Sequence, residues 1–214
     1  MSWSVTFHVW WVVAFVLLVL FAAAIGSRTD LAKQYKLKGL GILVDDRGRF
    51  SLTHFQIVLW TLVILSSLVG AFVSQNFDAA SLRLSSELLG LMGISLGSTV
   101  LATGVKSAKD ASGAKIARAG MKELPGGQKV MRDGKEDELR PHFAQIWLEE
   151  EGGQAEKVVN VSKFQSLIFT LVIVVYYVAA AWRVGGIPDL PQDVVWLIGI
   201  SHAGYVGGKI PNRP

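Results

Sequence analysis

The residues of this sequence that could do chemistry are polar side chains inside long apolar stretches. Their hydroxyl, amide and imidazole groups can donate and accept hydrogen bonds within a membrane. The candidates are His202, Ser201, Ser95, Gln56, Gln165, Thr61 and Thr170. The apolar stretches that contain them have no Asp, Glu, Lys or Arg at their centres. Transporters coupled to protons or sodium ions usually carry such a charge at mid-membrane depth, so coupled transport is disfavoured.

His202 is the most specific of these candidates, because an ionisable group within a membrane is a functional hypothesis by default. It lies in the last apolar stretch, seven residues before Lys209. We favour a structural role, in which a neutral imidazole is hydrogen-bonded to Ser, Thr or a backbone carbonyl of a neighbouring helix. The alternative is a pore-lining or pH-sensing group.

Gln56 and Gln165 occupy matching positions near the starts of two apolar stretches. Amide side chains at such positions form hydrogen bonds between membrane helices. We therefore predict that both glutamines hold helices together. A gate or constriction ring formed on oligomerisation is the alternative.

Two acidic runs, Asp45-Asp46 and Glu149-Glu150-Glu151, are the other groups that could bind a ligand. They could hold a divalent cation, but their spacing matches no calcium loop, and we expect a solvated face instead. The chain contains no cysteine, no phosphate-binding glycine loop and no Ser/His/Asp arrangement. The sequence therefore predicts a non-enzymatic protein with no catalytic residue, no cofactor and no metal site.

The elements that position these residues follow from the distribution of charge. Five stretches without Lys, Arg, Asp or Glu make up half of the 214 residues, which is unlike a soluble fold. About 20 apolar residues cross the hydrocarbon core as a helix. We predict an all-α integral membrane protein with five transmembrane helices at Thr6–Ile25, Phe55–Val73, Leu88–Thr103, Phe164–Trp182 and Val194–Gly208. The last stretch is short and rich in glycine, which leaves open whether it crosses fully.

Basic residues alternate between the two sides of these helices. Of the 21 Lys and Arg residues, 19 lie on one side: in segment 28–49, in segment 106–163, and in the tail at Lys209 and Arg213. The remaining two, Arg83 and Arg183, lie on the other side. Because basic residues stay in the cytoplasm, we predict an outside N-terminus and a cytoplasmic C-terminus in the cell (inner) membrane. A cleaved signal peptide is the alternative for the first stretch, but no basic residue precedes it. This topology explains the net charge of +4, so no nucleic acid partner is predicted.

An internal duplication relates two parts of the chain. Phe55-Gln56, followed after four residues by Thr61-Leu62-Val63-Ile64, recurs 109 residues later as Phe164-Gln165 and Thr170-Leu171-Val172-Ile173. Gly93-Ile94-Ser95 likewise recurs as Gly199-Ile200-Ser201, and an acidic-Gly segment precedes each unit. The pattern predicts a tandem parallel repeat of two-helix units after one N-terminal helix. With these motifs the chain resembles uncharacterised bacterial multi-pass membrane proteins, which implies a membrane location and no particular activity.

The sequence thus divides into five parts. They are an N-terminal transmembrane helix at 1–27, a cytoplasmic segment at 28–49, a first two-helix unit at 50–106, a cytoplasmic loop at 107–160, and a second two-helix unit with the tail at 161–214. Small residues at four-residue spacing permit close helix packing, within the chain or between copies. They are Gly93 with Gly97, Gly199 with Ala203, and Gly204 with Gly208. We expect the apolar segment Pro141–Leu148 to pack on Leu40–Val44 or on the membrane interface.

These features support three functional hypotheses. The first is an oligomeric pore- or channel-type assembly, with a path between copies because five helices enclose little space. The second is a membrane anchor or assembly subunit that recruits a soluble cytoplasmic protein partner. The third, a lipid-processing enzyme, would use the carboxylates of Asp45, Asp46 and Glu149–Glu151. The expected partners are the lipid bilayer and further copies of the chain.

Overall fold

A computed structural model describes residues 3–78 and 84–210 of the chain. Arg83 and Arg213, two of the residues behind the predicted topology, lie outside the described residues. The helices are α1 Trp3–Ser27, α2 Asp30–Tyr35, α3 Leu52–Ser74, α4 Ser86–Ala111, α5 Val161–Val184 and α6 Gln192–Gly207. Single 3-10 turns at Leu40–Leu43 and Phe143–Ile146 precede α3 and α5. The strands are β1 Glu123–Leu124, β2 Gln128–Lys129, β3 Met131–Arg132 and β4 Lys135–Glu136, paired as two short antiparallel hairpins.

Every apolar stretch predicted to be a transmembrane helix is helical. Four of these helices, α1, α3, α4 and α5, are long and apolar enough to cross a membrane. Local signals fix several of their ends: Ser85 caps α4 by accepting from the Leu88 amide, and Asn160 caps α5 by accepting from the Lys163 amide. The left-handed residue Gly185 ends α5. An all-α membrane protein is therefore the class that the structure supports.

The long helices alternate in direction. Trp11, near the start of α1, donates a hydrogen bond to Ser66 in the second half of α3, and His8 contacts the end of α5 at Trp182. The helices α4 and α6 both end where Lys106 and Lys209 meet the acidic runs. We call this the charged end of the bundle and the other the opposite end.

Two apolar clusters fill the bundle. The cluster nearer the opposite end joins all five long helices through residues that include Trp11, Trp60, Leu91, Tyr177 and Ile198. The cluster nearer the charged end joins both 3-10 turns to the helices, through Leu43, Phe50, Leu52, Ile146 and Tyr205. Ile146 of Pro141–Leu148 and Leu43 of Leu40–Val44 thus belong to one core, which favours the first of the two packing sites expected for Pro141–Leu148.

Helix α6 differs from the other long helices in its length. Its 16 residues extend about 24 Å, which is shorter than the roughly 30 Å hydrocarbon core of a bilayer. It nevertheless contributes to both apolar clusters, through Ile198 to one and through Tyr205 and Val206 to the other. Helix α6 therefore runs alongside α4 and α5 from the opposite end to the charged end.

The glycines that permit close packing are mostly not the predicted ones. A Cβ placed on Gly93, Gly97 or Gly204 would meet nothing within 4 Å, so packing at these positions would have to come from outside the described chain. A Cβ on Gly199 would lie 3.5 Å from the side chain of Ile94, and one on Gly208 would lie 3.3 Å from the Gly204 carbonyl oxygen and 3.5 Å from the Ser162 hydroxyl.

Close backbone approach occurs instead where α1 meets the first 3-10 turn and α3. A Cβ on Gly26 would lie 2.1 Å from the carbonyl oxygen of Gly39. One on Gly41 would lie 2.3 Å from that of Gly26, and one on Gly70 would lie 2.9 Å from the backbone of Trp11. Any side chain at these three positions would overlap the backbone of a neighbouring segment. The absence of a side chain at Gly26, Gly41 and Gly70 therefore allows α1 to pack closely against the rest of the fold.

Candidate functional site

The polar side chains inside the bundle pair with one another across helix interfaces. Gln56 on α3 is 2% exposed and donates to the hydroxyl oxygens of Ser166 and Thr170 on α5, at 3.0 and 2.7 Å. Thr170 in turn donates to the Ser166 carbonyl of its own helix. An unpaired amide in a low-dielectric interior is costly, so this network holds α3 to α5. The predicted interhelical role of Gln56 is thus what the geometry supports.

Two further pairs of this kind involve residues that sequence reasoning did not single out. The hydroxyl oxygens of Ser67 on α3 and Tyr177 on α5 are 2.8 Å apart, and the indole of Trp11 on α1 donates to Ser66 at 3.0 Å. Aromatic residues with a polar atom are common in membrane helices, so Trp11 and Tyr177 gave no distinct signal in the sequence. Helix α3 therefore uses one polar face against α1 and another against α5.

His202 joins α6 to α4. Its Nδ1 atom lies 2.7 Å from the hydroxyl of Ser98, which also contacts the carbonyl of Ser95 at 2.9 Å. The structural interpretation of His202 fits this geometry, because the imidazole is buried and bonded to a serine of the neighbouring helix. Its Nε2 atom and the buried hydroxyls of Ser95 and Ser201 have no hydrogen-bond partner among the described residues.

The residues expected to match by duplication have different surroundings. Gln165 is exposed on the surface of α5, whereas Gln56 is buried. Thr61 is likewise exposed on α3, whereas its counterpart Thr170 is buried. The prediction that both glutamines join helices is therefore wrong for Gln165 within a single chain, because its side chain lies on the outer face of the bundle.

The charged end contains a cluster of twelve ionisable residues, which we call the ion cluster. Six are acidic and six are basic, and at its edge Arg118 and His142 pair with two of the acidic members. They are Asp45, Asp110, Glu149, Glu150, Glu151, Glu156, Arg47, Arg49, Lys106, Lys109, Lys163 and Lys209. All but Asp110 and Glu156 are buried. The expectation that the acidic runs form a solvated face is therefore wrong for Asp45 and Glu149–Glu151, because basic residues cover them.

Glu150 lies at the centre of the ion cluster and is 5% exposed. Lys209 donates to it, and the ammonium groups of Lys163 and Lys106 lie 3.6 and 3.8 Å from its carboxylate. Burial alone would raise the pKa of Glu150, but these lysines outweigh it and hold the pKa well below its usual range. Burial would also lower the pKa of Lys209, yet Glu150 raises it above the ordinary lysine value. Both groups are therefore charged at neutral pH.

The first acidic run is held in the same way. Burial opposes ionisation of Asp45, but Lys106, at 2.5 Å, lowers its pKa below the usual value. Asp45 also accepts from the backbone amides of Arg47 and Arg49. Asp46, by contrast, is exposed. One aspartate of the run is thus part of the ion cluster and the other faces solvent.

Each acidic run lies in a loop that is closed just before a long helix. An antiparallel bridge joins Val44 to Phe50 before α3, and another joins Leu148 to Val159 before α5. Residues 116–119 run between these two loops, since Ala117 donates to the Glu150 carbonyl and Ala119 to the Arg47 carbonyl. The charged end is therefore one packed layer, and the ion cluster connects this layer to the ends of α4, α5 and α6.

The arrangement leaves little scope for metal binding by the acidic runs. The buried carboxylates Asp45, Glu150 and Glu151 are each paired with lysine or arginine side chains. Within the part of the chain that the structure describes, no group of three or more His, Asp or Glu side chains is placed to hold a metal ion.

Comparisons of the chain with protein families, with curated proteins and with solved structures found no match.

Proposed function

We propose that this chain is a non-enzymatic membrane anchor that presents a folded cytoplasmic layer to a soluble partner protein. The observation that supports this most is the ion cluster, which connects the segments between the helices to the helix ends through buried charges. A loop that served only to join two spans would not need buried ion pairs. Gln56, Tyr177 and His202 within the bundle also pair with polar side chains of neighbouring helices, which suits a holding role better than a conducting one.

The proposal includes five spans in the cell (inner) membrane, with the N-terminus outside and the charged end in the cytoplasm. The basic residues of the described charged end support this orientation. The short helix α6 would complete its span with local thinning of the bilayer, because it reaches both ends of the bundle. The proposal keeps the tandem repeat, which the two closed acidic loops support because each is followed by a long helix.

The surface proposed for the partner is formed by α2, the β3–β4 hairpin and the segment that follows this hairpin. A polar cavity of about 420 Å³ lies between them, lined by Gln34, Tyr35 and Lys36 on one side and by Arg132, Glu138, Arg140 and Pro141 on the other. Met131 on β3 is 56% exposed beside it. A polar rim around one exposed apolar side chain is typical of protein interfaces.

The test is site-specific photocrosslinking in intact cells, with the crosslinker at Met131 of the full chain. We expect one discrete adduct with a soluble protein, and we expect Arg140→Glu to reduce it, because that substitution reverses a charge at the cavity. A single substitution is preferable to removing the whole loop. A deletion of 107–161 would also remove Lys109 and Glu149–Glu151, and with them part of the ion cluster.

The matched control places the crosslinker at Val175, which is 68% exposed on the apolar surface of α5. This position should give adducts with lipid or with other copies and none with the soluble protein. Adducts with soluble protein at Val175, or none at Met131, would argue against the anchor.

An oligomeric pore is the second candidate function. It is favoured by the exposed polar residues Thr61 and Gln165 on the apolar surface, and by Gly93 and Gly97, which have open space beside them. If copies assemble through these faces, purified protein in liposomes should pass ions, and Gln165→Leu should reduce the flux. Absence of flux from both proteins would leave the anchor as the better proposal.

A further inference from the structure

A narrow groove lies between α1, α3 and the first 3-10 turn, beside the charged end. It has a volume of about 220 Å³. Its apolar walls include Val19 and Ala22 of α1 and Leu59 and Leu62 of α3. Val19 is 38% exposed, so the groove opens on the surface that faces the bilayer. Its volume is below the roughly 300–1,000 Å³ of pockets that enclose drug-sized ligands, which favours a thin, flexible occupant.

Lys38 is the one charged residue among those that line this groove. It is exposed, and it forms no ion pair with a described residue. Arg28, which follows α1 directly, is also exposed and lies two residues after Gly26, which packs on Gly39. The mouth of the groove is therefore positive, and no carboxylate among the described lining residues offsets it.

We propose that this groove binds an anionic phospholipid of the inner leaflet, with an acyl chain between α1 and α3 and the phosphate on Lys38. An acyl chain matches the apolar walls, and basic pockets beside membrane helices on the cytoplasmic side bind anionic headgroups. A zwitterionic lipid would fill the same walls but would gain less from Lys38. The site does not depend on any protein partner.

The test is native mass spectrometry of the full-length protein in detergent, with phosphatidylglycerol and phosphatidylcholine of identical acyl chains. We expect preferential retention of phosphatidylglycerol, and we expect Lys38→Asn to weaken it about fivefold, with little effect on phosphatidylcholine. Asparagine suits this position because Lys38 has a φ of 45°, a left-handed conformation that asparagine adopts readily. The fold should therefore tolerate the substitution.

The matched control is Lys33→Gln, five residues earlier in the same segment. Lys33 is exposed, pairs with Asp30 at 3.4 Å and does not line the groove, so its loss should leave lipid retention unchanged. Ala22→Leu fills the groove and should weaken both lipids, whereas an excess of inorganic phosphate should displace neither.

Three results would overturn the proposal. They are equal retention of the two lipids, an equal loss from Lys33→Gln and Lys38→Asn, and displacement of phosphatidylglycerol by inorganic phosphate alone. The last would mean that Lys38 binds phosphate without any contribution from the apolar walls. Should Lys38→Asn fail to fold, Lys38→Arg keeps the charge and should retain the preference, while loss of the preference in that variant would contradict the role of the cation.

Discussion

Replacing Glu150 with glutamine is expected to lower the free energy of unfolding by about 3–5 kcal/mol, the usual cost of removing one partner from a buried ion pair. The carboxylate of Glu150 lies within 4 Å of the ammonium groups of Lys106, Lys163 and Lys209. Glutamine has nearly the same shape, so packing is kept while Lys163 and Lys209 lose the carboxylate with which they pair, and Lys106 still pairs with Asp45. The measurement is reversible unfolding in mixed detergent micelles, followed by circular dichroism.

The control for this substitution is Glu136→Gln. Glu136 on β4 pairs with Lys129 on β2 of the other hairpin, and about half of each side chain is exposed. Exposed ion pairs contribute little to stability, because water and salt screen them. We expect no measurable change in unfolding for Glu136→Gln. Equal effects of the two substitutions would mean that the ion cluster is solvated and that Glu150 does not hold the helix ends together.

Lowering the pH should remove the stabilisation that comes from the ion pairs of Glu150. Glu150 has a pKa well below the ordinary value of 4.5 in the folded protein, because the lysines favour its charged form despite burial. A carboxyl group whose pKa is lowered by folding stabilises the fold fully at any pH above its pKa in the unfolded chain. This stabilisation is lost as the pH falls through its pKa in the folded protein. The native protein should thus keep its stability down to about pH 4.5 and lose it below. The difference between native protein and Glu150→Gln should shrink over the same range.

The membrane helices could be predicted from sequence because their signal is local. An apolar stretch without charge must be helical in a bilayer, and its length decides whether it spans. The starts and ends of α3, α4 and α5 accordingly lie within a few residues of the predicted ones, except that α4 continues to Ala111. Prediction of a helix needs no knowledge of what lies beside it.

The ion cluster could not be predicted, because its partners are far apart in sequence. Asp45 meets Lys106 across 61 residues, and Lys209 meets Glu150 across 59. Considered alone, an acidic run predicts a solvent-exposed surface. A lysine at a helix end, considered alone, is explained by the usual excess of basic residues on the cytoplasmic side of a membrane. A usable signal was present: each acidic run precedes a pair of apolar stretches that returns to a lysine. That arrangement brings opposite charges to the same end of the bundle.

The packing glycines also could not be identified from sequence, because their neighbours are distant in the chain. Spacing of small residues singled out Gly93 and Gly97, which meet nothing within 4 Å in the described chain. The closest contact is instead made by Gly26, at the end of α1, against Gly39, which no regular spacing connects to it. A four-residue pattern finds glycines on one face of a helix, but it does not show whether that face has a neighbour.

Substituting alanine for Gly26 should therefore destabilise the fold, whereas substituting alanine for Gly97 should not. In an open helix, alanine is favoured over glycine by up to about 1 kcal/mol, so Gly97→Ala should leave the fold unchanged or stabilise it. At Gly26 the new Cβ would lie 2.1 Å from the Gly39 oxygen and 3.0 Å from the Ile42 nitrogen. Both atoms are backbone, so the 3-10 turn must move, and we expect a loss of about 1–3 kcal/mol or more.

Unfolding in mixed micelles measures the two free energies, and limited trypsin digestion locates the change. Loss of the Gly26 contact should speed cleavage after Arg28, Lys36 and Lys38, because the segment that contains them would no longer be held against α1. Gly97→Ala should leave the cleavage pattern unchanged. If it instead destabilised the protein as much as Gly26→Ala, the face of α4 that carries Gly97 would be packed in the folded protein. That face would then be a contact between copies, as the oligomeric pore requires.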